Sequence, residues 1–62
     1  MLPFDDIIID GVYRHIDDPT RIVMVTAKRP TDDGVYVVYD IIGQGTSSAL
    51  PGTVFAKTYR WS

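Results

Sequence analysis

Turn-forming residues cut this chain into short runs rich in β-branched and aromatic side chains, and that punctuation constrains its fold more than any other feature. No window longer than about ten residues keeps apolar side chains at helical spacing without a Gly, a Pro or a β-branched run breaking it, so no appreciable helix is expected. The punctuation is largely acidic. All eight acids are Asp and none is Glu. Asp disfavours helix interiors and favours turns, where its short carboxylate reaches nearby backbone N–H groups.

The runs read as strands in turn. Gly11 to Ile16 alternates and is followed by a turn at Asp17-Asp18-Pro19-Thr20. Arg21 to Lys28 is nearly continuous in apolar character and ends at Arg29-Pro30, because proline cannot donate to a ladder. Thr31-Asp32-Asp33-Gly34 supplies the turn of a hairpin whose second arm is Val35 to Ile42, the most β-prone stretch. Gly43 to Ser48 is small and polar and reads as a mobile loop, closed by a turn over Ala49 to Gly52. Thr53 to Trp61 alternates and reads as a fourth long strand, while Ile7-Ile8-Ile9 reads as a short strand or lead-in covering a sheet edge.

With 62 residues the chain is expected to hold a single domain, 1–62. A chain of this size buries only about 60% of the surface exposed when unfolded. It has no cysteine and a single histidine, His15, so neither a disulfide nor the usual zinc ligand set is available, and no metal or other cofactor is expected. Stability must come from packing. Four to five short antiparallel strands suit a small, strongly bent all-β barrel, with Val12, Val23, Val25, Val38, Leu50 and Phe55 as the expected inward set.

These residues resemble a family of small bacterial and phage proteins of unknown function assigned an SH3-like fold. Gly11, Tyr13 and His15 match its opening, Val37, Val38 and Tyr39 its central strand, Gly43 the following glycine, and Pro51 and Phe55 its end. The similarity spans roughly residues 10 to 59. The chain departs from the pattern at Ile16-Asp17-Asp18 and at Leu50. The resemblance implies an SH3-like barrel and brings no activity with it.

Charge narrows the function classes. Asp5, Asp6 and Asp10 place −3 in the first ten residues, which leaves the rest at +1 within a net charge of −2. Proteins held to nucleic acid through phosphates need a clear basic excess, so nucleic-acid or nucleotide binding is the lesser expectation. The opening Met1 to Asp6 carries acid where a signal peptide has base, and no run reaches the ~20 apolar residues of a spanning helix. A soluble cytoplasmic protein with no membrane partner is expected.

No catalytic residue is assigned. His15 is the obvious general base, but it lacks an evident orienting partner and nucleophile, so a structural hydrogen bond is the favoured role. The pairs Asp5-Asp6, Asp17-Asp18 and Asp32-Asp33 lack the spacing of a calcium loop and read as turns. Gly43 to Ser48 lacks the Gly-Lys-Ser/Thr end of a phosphate loop. The aromatic residues are numerous for so small a core, and Tyr, Trp and Arg dominate binding hot spots. Tyr13, Arg14, Tyr36, Tyr59, Arg60 and Trp61 are therefore the candidate contacts of a non-enzymatic module that binds a protein. A homodimer is a further expectation, because edge strands and exposed rings favour self-association.

Overall fold

In the computed structural model, which describes residues 7–61, the centre is the hairpin of β2 (Ile22–Thr31) and β3 (Gly34–Ile41). Expectations placed on Met1 to Asp6, including the Asp5-Asp6 pair, lie outside the described residues. The turn is the pair Asp32-Asp33, with Gly34 at φ 122°, a conformation that side-chain-bearing residues rarely adopt. The Thr31 hydroxyl ties it, donating to the Gly34 carbonyl at 2.8 Å and accepting from the Asp33 N–H at 3.3 Å. β2 thus continues past Lys28, where the sequence suggested an end. Pro30 is accommodated because it sits exposed beside the turn, opposite Val35.

A register shift between Val25 and Ala27 marks a β-bulge at Thr26, whose hydroxyl donates to the Val38 carbonyl at 3.3 Å. It moves the inward phase of β2 from Val23 and Val25 to Lys28, which lies opposite the buried Val37. β1 (Val12–His15) pairs with β2, β4 (Thr46–Pro51) pairs with β3, and β5 (Tyr59–Trp61) pairs with β1. The result is an all-β antiparallel sheet of order β4-β3-β2-β1-β5. Among the described residues no pairing joins β4 to β5, so the sheet is open rather than a hydrogen-bonded closed barrel.

Two expectations are corrected by the C-terminal third. Residues 46–51 are strand β4 rather than loop and turn, because β3 offers a ladder partner to each of them, from Thr46 opposite Ile41 to Pro51 opposite Tyr36. Thr53 to Trp61 is not one strand: Gly52–Thr58 forms a short helix, α1, and only Tyr59 to Trp61 is extended. The helix wins because Gly52, Phe55 and Ala56 recur at helical spacing and bury one face against the sheet. The Thr58 hydroxyl donates to the Val54 carbonyl at 2.8 Å, and the Tyr59 N–H caps the Phe55 carbonyl as the chain leaves the helix.

The core lies between the sheet's inner face, α1 and the lead-in. Of the expected inward set, Val23, Val25 and Phe55 are buried and Leu50 packs partly against them. Val12 and Val38 point the other way, since their neighbours Tyr13, Val37 and Tyr39 take the inward positions and alternation sends the next residue out. The lead-in is no strand, yet Ile7 is fully buried and the Ile8 N–H donates to the Tyr13 hydroxyl at 2.9 Å. Gly11 permits this approach: a Cβ there would lie 2.9 Å from both the Ile8 carbonyl oxygen and the Tyr13 ring.

Candidate interaction surface on β1 and β5

Five of the six candidate contacts lie on one ladder. Tyr13 is opposite Trp61, Arg14 opposite Arg60, and His15 opposite Tyr59. Directly opposite residues share a face, so the rings of Tyr13, Tyr59 and Trp61 turn inward and the two arginines turn outward. Tyr36 stands apart, on the outer side of β3 between Arg29 and Pro51.

Burial divides the aromatic residues by role. Tyr13 and Tyr59, expected among the surface contacts, are buried, because four rings are needed to fill a core this small. Phe55 lies at the centre of that group, 4.7 Å from Tyr59 in a stacked arrangement and 5.5 Å from both Tyr13 and Tyr39. Trp61 closes the group from outside. Its ring lies 4.7 Å from that of Tyr13 and remains 49% exposed. Arg60 is exposed and Arg14 half-buried.

At the other end of β1, His15 sets its ring edge-on to Tyr59 at 5.2 Å and accepts a 3.0 Å hydrogen bond from the Asp17 N–H at Nδ1. The ring thus has a backbone hydrogen-bond partner. Burial, followed by the nearby Tyr39 hydroxyl, pushes the Tyr59 phenol above its ordinary range, while the adjacent Arg21 guanidinium opposes the shift. Arg21 escapes sequence reasoning, since its approach to Tyr59 depends on the β1–β2 register, in which the His15 N–H donates to the Arg21 carbonyl at 3.0 Å. Hydrogen bonds from the Thr20 hydroxyl and N–H, at 2.6 and 3.1 Å, hold the Asp18 carboxyl below its ordinary value. The Asp17-Asp18 pair thus belongs to a turn.

Arg14 and Arg60 form no ion pair with a described residue, and the Arg14 Nε is shut off from solvent without a hydrogen-bond partner. No described helix is long and apolar enough to cross a membrane. No family model, curated protein or solved structure matches the chain.

Proposed function

We propose that this chain is a non-enzymatic protein-binding module, an SH3-like domain of the small bacterial or phage kind that acts in the cytoplasm by occupying a surface of a host protein. The observation that carries the reading is Trp61: a half-exposed indole fixed on the buried Tyr13 ring, on an edge strand beside the exposed Arg60. Trp and Arg are the side chains that most often dominate binding energy, and a ring already held by packing loses little freedom when a partner covers it. Affinity capture from bacterial lysate tests it. The parent protein should retain a partner that Trp61→Ala loses with the fold intact; equal retention by both refutes the assignment.

Two other readings each have an observation behind them. The paired arginines beside an exposed indole favour a nucleic-acid or nucleotide binder, which predicts retardation of single-stranded DNA that weakens steeply with salt. The exposed outer edge of β4 favours a homodimer by strand pairing, which predicts concentration-dependent sedimentation.

A further inference from the structure

We infer that Arg14 and Arg60 together form a cradle for a carboxylate presented by the protein partner. The inference rests on the protein-binding reading and names the chemistry that its partner must bring. The two guanidinium groups stand on directly opposite residues of the β1–β5 ladder, on the outer face. Like charges so placed repel, and no described carboxylate forms an ion pair with either of them. The Arg14 Nε is buried without a hydrogen-bond partner, so contact with an incoming anion falls to the terminal nitrogens of the fork.

The surroundings strengthen the attraction. Ile22 lies opposite Arg14 on its other side, and Val12, opposite Met24, is the next outward position along β1. An apolar collar of this kind lowers the local dielectric and makes a charge-assisted hydrogen bond stronger than in open water. The planar guanidinium fork matches a carboxylate, which two arginines can grip from both sides. A protein partner supplies that group as an Asp or Glu side chain. On β5, Arg60 faces outward while Trp61 faces inward, so a segment gripping that edge would meet the cradle on one side and the indole on the other.

The test follows the arginine Nε–H signals by NMR in the isotope-labelled full chain, titrated with blocked tetraglutamate peptide at constant ionic strength. The signals of Arg14 and Arg60 should shift saturably, while equivalent sodium chloride leaves them in place. Arg60→Gln, at an exposed position, should keep the parent amide spectrum and weaken the response about tenfold. Arg14→Lys should weaken it too, since the charge remains but the fork is lost. A response matched by salt alone, or unchanged in Arg60→Gln, overturns the cradle. A tighter response to a short oligothymidylate than to tetraglutamate overturns the carboxylate in favour of phosphate. Should tetraglutamate fail while Trp61→Ala still loses the captured partner, the cradle falls and the protein-binding reading stands.

Discussion

Eight residue pairs in register bind β2 to β3, whereas three bind β1 to β5. The hairpin is held by backbone: a tight turn, a long ladder and alternating side chains that each do a little. The shorter ladder has too few hydrogen bonds to hold a strand by that means, and rings supply the difference, with Trp61 against Tyr13, His15 against Tyr59, and Phe55 behind both tyrosines. The contrast teaches that the same packing which anchors β5 also holds a half-exposed Trp61 in place. Stability and the proposed recognition would meet on the weaker ladder.

Phe55→Ala should break the contrast most severely. Removing the ring that touches three others costs about 3–5 kcal/mol, against a total of roughly 3–9 kcal/mol for a domain of this size. Thermal denaturation should show a collapse of the melting transition, and a shift of only a few degrees would mean that the rings matter less than the ladders. Gly34→Ala attacks the other region. Its φ of 122° suits glycine, so alanine should cost about 1–3 kcal/mol, measurable as a lower denaturant midpoint. Trp61→Ala should cost about 1 kcal/mol, because the ring is half-exposed and its stacking is one tilted pair. Hydrogen exchange should then quicken on β1 and β5 while β2 and β3 keep their protection.

Smaller effects come from titration. The Tyr59 pKa is raised in the fold above its ordinary 10.0, so the unfolded chain releases this proton first. The stabilisation is complete below pH 10 and is lost as pH rises through the folded value. Tyr59→Phe should flatten that alkaline loss in equilibrium denaturation, and an unchanged alkaline limb would assign it elsewhere. Asp18 has the opposite sign: its carboxyl is held below 3.8, so its contribution is present above that pH and fades as pH falls through the depressed folded value. Being exposed, it should register only locally, as acid-induced movement of the Thr20 amide signal.

The hairpin was legible because a β-branched and aromatic run and an Asp-Asp-Gly turn point the same way at Thr31 to Ile41. β4 was obscured because an edge strand exposed along much of its length carries no hydrophobic alternation; its register comes from β3, which no local pattern in Thr46 to Pro51 records. Residues 52–58 hid a helix within an apparent two-residue alternation. The signal was present in Gly52, Phe55, Ala56 and Tyr59, at helical spacing, but the β-branched Thr53, Val54 and Thr58 outweighed it. At the candidate site, composition favoured Arg14, Arg60 and Trp61 as exposed contacts; Arg60 and Trp61 are exposed, whereas Arg14 is half-buried. Composition could not separate them from Tyr13 and Tyr59, since a ring's direction depends on strand phase, and phase was fixed by distant pairing partners.

The pairing of Tyr13 with Trp61 joins positions far apart in sequence and sets the start of β1 beside the end of β5. A pull applied at these two points would load the ladder in a peeling geometry, opening Tyr13–Trp61 first, then Arg14–Arg60, then His15–Tyr59, instead of shearing all three together. Mechanically, the domain resembles a zip with its slider at the tether points. The half-exposed indole is also the first tooth, so a partner of the proposed kind, bound across it, would lock the fold against tension.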